Sequence, residues 1–431
     1  MEILIDFFFR DPVVRWVLMA VILMCASAAI VGCFTFLRKR ALVGDAISHA
    51  ILPGICLAFI IAETKNPFIL MLGAFASGWL GLITIDFITN RTKLKTDAAL
   101  GLVLSVFYGF GILLLTTIQN SGNASQSGLD KFLFGNAAAM MQSDAITFGL
   151  FSLVLIILVF LLFNPLKLVT FDRKFAIAKG IPVKRLELLL SVLTVFAIAI
   201  GIQAVGVVLM AALLITPASA ARFWTHDLKW MIFLAAVFAV VSGITGTFIS
   251  YTLPKMPTGP WIVTILSTIA IFSIIFGFKK GVLSKLRLRR LNKKKILREN
   301  ILKCLYHLGE KAGNFDKFWS TWEILEKREM NKAQLKYGLK QLQSRNLVIL
   351  KGNAAKFSEL GKEEGRRVTK IHRLWEIYLT KYMKMAPDHV HNDAEAMEHL
   401  ITPEIEKDLE YHLKFPLIDP HDSPVPYKDL K

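Results

Sequence analysis

An aspartate and a histidine stand four residues apart within an apolar run, Asp45 and His49 in Arg40-Ala-Leu-Val-Gly-Asp-Ala-Ile-Ser-His-Ala-Ile-Leu-Pro-Gly54. On a helix, residues at i and i+4 share one face. A carboxylate oxygen and an imidazole nitrogen placed this way form a two-ligand clip for a divalent cation. Ionisable groups deep in hydrocarbon are costly and usually mark a path for ions. With Arg40 at the membrane edge, His49 lies about 13 Å deep at helical rise, near the midplane where transported substrates are held. The plain structural alternative has Asp45 capping the helix and His49 bonding to a neighbouring helix. Ser48 beside the pair and the Pro53-Gly54 break in the same segment favour the pathway.

A second set of potential ligands lies toward the other end of the chain. His372-Arg-Leu-Trp-Glu376 presents His and Glu at i,i+4. His391-Asn-Asp-Ala-Glu-Ala-Met-Glu-His399 places His391, Glu395, Glu398 and His399 on one stripe of one helix. Packed together, the two helices would gather six imidazole and carboxylate groups. Without a cation, so many buried carboxylates would repel one another and shift to protonated forms. A metal site is therefore expected there.

The elements that must position these groups fall into two halves. Up to residue 278 the chain is a series of apolar runs, with 19 Lys/Arg and 12 Asp/Glu confined mostly to connections; residues 279–431 carry 32 and 21 and read as soluble. The expected division is a membrane domain at 1–278, a basic juxtamembrane linker at 279–295, a winged-helix domain at 296–365 and a helical metal-binding and dimerisation domain at 366–431. Crossing ~30 Å of hydrocarbon takes roughly 20 apolar residues. Candidate spans are 13–36, 46–62, 67–89, 98–118, 144–163, 187–203, 205–221, 229–252 and 261–278.

The positive loops Arg38-Lys-Arg40, Arg91 to Lys95, Arg173 to Arg185 and Lys279-Lys280 belong on the cytoplasmic side. Placing all four there requires an odd number of crossings. Nine satisfies this if Ile202 to Gly206 is a tight external turn; a single bent helix over 187–221 would give eight. The fold class expected is thus an all-α polytopic membrane domain of about nine helices followed by a soluble winged-helix and helical unit. The basic run Lys285 to Lys295 suits an anionic leaflet.

Phe171-Asp-Arg-Lys-Phe-Ala-Ile-Ala-Lys-Gly180 reads as an amphipathic turn of helix ending at Gly180. It could dock in a soluble partner's groove or simply connect two helices. No G-x-x-x-x-G-K-[ST] occurs in the chain, so nucleotide hydrolysis would belong to a partner. Cys25, Cys33, Cys56 and Cys304 show no CxxC spacing, which speaks against a disulfide framework or a thiolate zinc site.

In the soluble half, helical periodicity runs through Ile296–Leu308 and Trp319–Arg328. A third helix, Lys332–Gln343, has Leu335, Leu339 and Leu342 on one side. Leu347–Leu350 and Ala355–Phe357 read as a hairpin wing. Lys332, Lys336 and Lys340 lie opposite the leucine stripe, as on a major-groove helix. A solvated lysine face on a protein-interaction domain is the alternative.

Ala41 to Gly54, Phe171 to Gly180 and Val205-Gly-Val-Val-Leu-Met-Ala-Ala-Leu-Leu-Ile-Thr-Pro-Ala218 resemble the permeases of ABC importers for manganese, zinc and iron, over essentially residues 10–278. The resemblance implies that Asp45 and His49 contact the metal, with Thr216 and Pro217 in a helix near the pathway. Phe171, Asp172, Ala176 and Gly180 would belong to the coupling helix that meets the ATPase. Such an importer, in a bacterial cytoplasmic membrane, needs two permease chains, two ATPase subunits and an extracytoplasmic metal-binding protein. His372 to Glu376, Val390 to His399 and Asp419-Pro-His-x-x-Pro-x-Pro426 resemble the diphtheria-toxin-repressor family of metal-dependent regulators across 296–426. That implies a winged helix able to bind DNA, with Glu395, Glu398 and His399 as core metal ligands and His372, Glu376 and His391 completing the cluster. Glu395 stands where iron-type members have a cysteine; an oxygen ligand there suits manganese or ferrous iron better than zinc.

The chain departs from the second family where manganese-type members carry acidic ligands on the first helix: it has Asn300 and Lys303. An amide ligates weakly and an ammonium not at all, so the regulatory site is expected to be weaker or rearranged. The fused domain would close the transporter on sensing metal, act as a tethered or proteolytically released repressor, or serve only to dimerise permeases.

Overall fold

The structure, a computed structural model, describes residues 12–64, 66–120, 135, 137, 140–207, 209–253, 256–385, 399 and 401–427. The chain divides into two compact units, Met1–Lys285 and Leu286–Lys431.

The first unit is helical throughout its described residues, because hydrocarbon offers backbone N–H and C=O groups no partners and a helix pairs them internally. Among the described residues eight helices are long and apolar enough to cross a membrane: Val13–Leu37, Leu42–Ala62, Pro67–Arg91, Thr96–Asn120, Gln142–Leu161, Val183–Ile202, Leu228–Thr252 and Thr258–Phe276. The Pro12–Leu37 helix is the central post. Its Val21, Met24, Cys25, Ala28, Ala29 and Phe34 are fully buried, and the helices Gln142–Leu161, Met210–Arg222 and Leu228–Thr252 pack around it.

The expected ninth span is corrected. The chain does break between the sixth and seventh candidates, but the second piece is a 13-residue helix, Met210–Arg222. At 1.5 Å per residue it is about 20 Å long, short of a full crossing. Nor is the break an external turn. It falls at Gly206–Leu209, where Gly206 takes φ 89°, and Val205, Val207 and Met210 are fully buried. Irregular backbone at this depth is tolerated because protein surrounds it.

The short helix still returns the chain to its starting end. Arg222 and Lys280 line one cavity with Arg40 and Thr96, and the Phe223 carbonyl accepts from both Lys279 and Lys280. Arg38 and Arg173 both pair with Glu187. Arg91 and Lys184 line the adjoining cavity, which again includes Arg40. All four positive loops thus gather at one end of the bundle, with eight long helices and one short one giving the odd count.

The second candidate span is two helices, Ala41–Ala50 and Leu52–Ala62. Pro53 has no N–H to continue the ladder, and the Ser77 hydroxyl donates to the Ala50 carbonyl at 2.6 Å beside the break. Here the segment meets the Pro67–Arg91 helix backbone to backbone. A Cβ on Gly54 would stand 2.0 Å from the Gly73 carbonyl oxygen, and one on Gly73 would stand 2.4 Å from that of Gly54. Small residues are what permit such an approach.

The second unit begins within the helix Val282–Ala312, so residues 282–295, read from sequence as a linker, are helical and, half-buried Ser284 apart, exposed. A three-stranded antiparallel sheet has Ala354–Phe357 between Trp319–Ser320 and Val348–Lys351. Trp319 and Ser320, expected at the start of a helix, form the edge strand. Ser320 then caps the helix Thr321–Lys327 through a reciprocal capping box with Glu323. With Lys332–Gln343 these elements bury Ile301, Leu305, Ile324, Leu335, Leu342 and Val348 in one core. The helix Glu359–Tyr382 runs without a break through the boundary expected at 365, and Pro403–His412 packs on it.

Gly54→Val should prevent the close approach of the two helix backbones. Overpacking costs typically about 1–3 kcal/mol, and backbone yields less than a side chain, so the upper end is expected. Thermal unfolding of the purified chain in detergent will show it as a lowered midpoint, with Gly101→Val, which meets open space, as the control.

Candidate metal sites and interaction surfaces

Asp45 and His49 lie on the Ala41–Ala50 helix, just before the Pro53 break. Their side chains face each other, with His49 Nε2 3.7 Å from Asp45 Oδ1. Two donors at that separation can both reach a single ion at about 2.0–2.2 Å. The other ring nitrogen, Nδ1, is buried without a hydrogen-bond partner among the described residues. The fold therefore does not use up the histidine's hydrogen-bonding capacity, as it would for a purely structural residue. Asp45 does not cap through its side chain; the helix has no side-chain cap, and Ser48 Oγ donates to the Asp45 carbonyl at 2.8 Å.

Tyr108, from the Thr96–Asn120 helix, stands edge-on to the His49 ring at 4.8 Å between centroids. Sequence alone did not suggest it, because a contact 59 residues away leaves no local pattern. Thr216 and the buried Pro217 sit within Met210–Arg222. That helix packs on Ala41–Ala50, and a Cβ on Gly44 would meet the Leu214 side chain at 2.5 Å.

Phe171 ends one helix, Phe163–Phe171, and does not belong to the amphipathic turn as expected. The turn itself is six residues, Arg173–Ala178. Asp172 caps it, accepting from the Phe175 N–H at 2.9 Å, and Gly180 closes it at φ 75°, a conformation glycine adopts without steric cost. Ala176 is fully buried and anchors the turn, whereas Phe171, Phe175 and Ile177 are each more than half exposed. Three large apolar side chains beside Arg173, which pairs with Glu187, are a surface made for contact.

In the second unit, His372 and Glu376 meet on the Glu359–Tyr382 helix, Nε2 to Oε1 at 3.2 Å, and both are almost fully buried. His399 turns elsewhere. Its Nδ1 lies 2.6 Å from Glu299 Oε2 on the Val282–Ala312 helix, and Lys295 donates to its carbonyl at 2.8 Å. His391, Glu395 and Glu398 lie outside the described residues, as does the helix expected over 391–399. Among the described residues no three His, Cys, Asp or Glu side chains form a group able to hold a metal ion.

Of the six expected ligands, the described ones are His372 and Glu376, which meet each other, and His399, which meets Glu299. Lys303, 2% exposed, brings its Nζ to 3.3 Å from His372 Nδ1. The Asn300 side-chain oxygen is buried without a hydrogen-bond partner among the described residues.

A neighbouring polar clamp holds the same two helices. Arg373, buried, makes a two-pronged contact to Glu310 at 2.9 and 2.6 Å, lies 3.4 Å from Asp419 and donates to the Pro424 carbonyl. Burial alone would raise the Glu310 carboxyl. Hydrogen bonds from His307 and Arg373, with the Arg373 charge, outweigh it and hold the carboxyl at about 2. Burial pushes His307 down, against the pull of its Glu310 hydrogen bond.

Lys332, Lys336 and Lys340 are all exposed, opposite the buried Leu335, Leu339 and Leu342. Asn331 caps the helix in a reciprocal box with Gln334, so the lysine face sits on a well-started helix.

Residues 10–277 match the ABC 3 transport family. The chain belongs to that family. Residues 358–427 match the metal-binding and dimerisation domain of iron-dependent repressors, so this permease carries a fused domain of repressor type. It is 40% identical to the manganese transport system membrane protein MntC of Bacillus subtilis, over 88% of this chain and 86% of that protein. The likeness spans 380 residues and so runs past the first unit into the second. It is 44% identical to the zinc transport system membrane protein TroC of Treponema pallidum, over 65% of this chain and 95% of that one. Among solved structures it resembles PsaBC from Streptococcus pneumoniae, with 32% identity and a TM-score of 0.59 over 66% of this chain and 99% of that one. The chain is a multipass membrane permease, a transporter subunit rather than a catalyst.

The Glu310 carboxyl titrates far below its ordinary 4.5 when folded. The stabilisation from its clamp is therefore complete above about pH 4.5 and is lost as pH falls toward 2. Hydrogen exchange in the Val282–Ala312 helix of the full chain should speed up through that window, and Glu310→Gln should flatten the dependence. At neutral pH Arg373→Met leaves two carboxylates without their buried partner, an expected loss of about 3–5 kcal/mol measurable by the same exchange.

Proposed function

We propose that this permease imports a divalent metal, manganese before iron or zinc, across a bacterial cytoplasmic membrane. The facing Asp45–His49 pair, with one imidazole nitrogen left unpartnered by the fold, carries the reading. Relatives named for manganese and zinc transport support the class of ion, and carboxylate oxygen beside imidazole nitrogen accepts either. Thr216 and Pro217 lie in the short helix packed against the pair's own helix. A rigid movement of Met210–Arg222 would reach Asp45 and His49 through Leu214 and Gly44.

A separate ATPase subunit would dock on Arg173–Ala178, receiving Phe171, Phe175 and Ile177 in an apolar groove, with Asp172 and Gly180 setting the ends of the turn and Ala176 its base. The chain has no phosphate-binding loop of its own. A second permease chain, identical or related, and an extracytoplasmic metal-binding protein complete the importer. The gathered positive loops support a cytoplasmic docking end, and with it a cytoplasmic second unit.

The second unit is read as a regulator of this transport. A DNA-binding role, tethered or after release from the membrane, is favoured by one observation, the exposed face of Lys332, Lys336 and Lys340 on a capped helix of a winged-helix core. DNA affinity of the full chain in nanodiscs that falls at least tenfold in the Lys332→Glu/Lys336→Glu/Lys340→Glu variant supports that role; no affinity for duplex DNA leaves a regulator of transport.

Uptake of radioactive manganese by cells expressing the complete importer tests the main reading. Asp45→Ala and His49→Ala should each reduce it by about tenfold or more, since even the outer partners of metal ligands are worth 10–100-fold in affinity. Undiminished uptake in both would overturn the pathway assignment. Phe175→Asp should abolish co-purification of the ATPase while leaving the chain folded, because the side chain is exposed.

A further inference from the structure

We infer that the Lys303 ammonium takes a metal's place at His372 and Glu376, tying the first helix of the second unit to the long helix without a metal ion. Lys303 lies on Val282–Ala312 and the other two on Glu359–Tyr382. The order of groups is Lys303 Nζ, 3.3 Å to His372 Nδ1, then His372 Nε2, 3.2 Å to Glu376 Oε1. An ammonium has three donors and no acceptor, so Nδ1 must accept from it. The ring proton then sits on Nε2 and is donated to the Glu376 carboxylate.

That tautomer leaves no lone pair for a metal. A neutral imidazole has one acceptor nitrogen, and Lys303 holds it. All three side chains are nearly fully buried, where a nearby cation lowers the cost of burying a carboxylate. A divalent ion in such a place joins two helices by attracting donors from both. The lysine does the same with a charge built into the chain, and the Glu310–Arg373 pair ties the same two helices seven residues further along the first.

The consequence is functional. A repressor-type unit draws its metal response from ligands that come together only around the ion. Here one such junction is closed beforehand, so the hold between these two helices is constitutive. Any metal response of the second unit must pass through donors other than His372. This tie lies wholly within the second unit and does not depend on the transport reading.

The full chain in nanodiscs, stripped with chelator and then given Mn²⁺ alone, provides the test. Hydrogen exchange is followed in residues 300–310 and 368–380. In the unaltered chain, protection should be the same within about twofold with and without Mn²⁺. In Lys303→Met, exchange in chelator should be at least tenfold faster and should slow on adding Mn²⁺, which then has the freed Nδ1 to bind. In Lys303→Glu, which restores a carboxylate, protection should require Mn²⁺, and the chain should bind one more Mn²⁺ than the unaltered one. Lys303→Arg, keeping the cation, should resemble the unaltered chain.

Protection in the unaltered chain that rises tenfold with Mn²⁺ would overturn the inference, since His372 would then be serving the metal. So would a Lys303→Met chain as protected in chelator as the original. If Lys303→Met does not fold, the unaltered chain and Lys303→Glu decide the matter by the same readings.

Discussion

Hydrocarbon supplies no hydrogen bonds, and the first unit is arranged around that fact. Every backbone amide within it must find a partner inside the protein, which makes helices obligatory and sets their length. Many hydroxyls are satisfied in the same way: Thr194, Ser242, Thr247 and Ser273 each donate to the carbonyl four residues earlier in their own helix. Where the ladder is interrupted, protein covers the gap. At the break after Val205 the residues Val205, Val207 and Met210 are fully buried, and beside the Pro53 break Ser77 donates to the Ala50 carbonyl. Among the described residues of this unit His49 Nδ1, with Thr89 Oγ1, Ser152 Oγ and Trp224 Nε1, is buried without a hydrogen-bond partner.

The features legible in the sequence are those written locally. Apolar length gave the eight long helices, and loop charge gave the end at which they gather. A four-residue spacing put Asp45 opposite His49, and a leucine stripe put Lys332, Lys336 and Lys340 on the outer face of their helix. The thirteen-residue helix was read as a full span because its apolar stretch merges with the buried break before it, and hydropathy does not separate a lipid-facing residue from one covered by protein. Residues 171–180 were read as one turn, since nothing in the pattern shows that Asp172 caps a new helix rather than continuing the old one.

What stayed hidden depends on pairs distant in sequence. Tyr108 on His49, Glu299 on His399 and Lys303 on His372 join segments 59, 100 and 69 residues apart. Lys303 could be seen from sequence as a group that cannot ligate. Only the fold shows it as a group that takes the place of a ligand's target.

The two histidines then argue a common point from opposite sides. Each stands four residues from a carboxylate on the same helix, His49 after Asp45 and His372 before Glu376, so spacing alone would give them the same chemistry. Their surroundings separate them. At His49 the pair is 3.7 Å apart, too long for a good hydrogen bond, and Nδ1 has no partner among the described residues. That is the arrangement the proposed passage of an ion would use. At His372 the contact closes to 3.2 Å, the second nitrogen is taken by an ammonium, and burial is nearly complete. A cargo site needs donors that the fold leaves wanting, and a structural junction needs them satisfied. By that criterion the Asp45–His49 pair suits the proposed exchange of a cation, and the His372–Glu376 pair has beside it a cation covalently part of the chain.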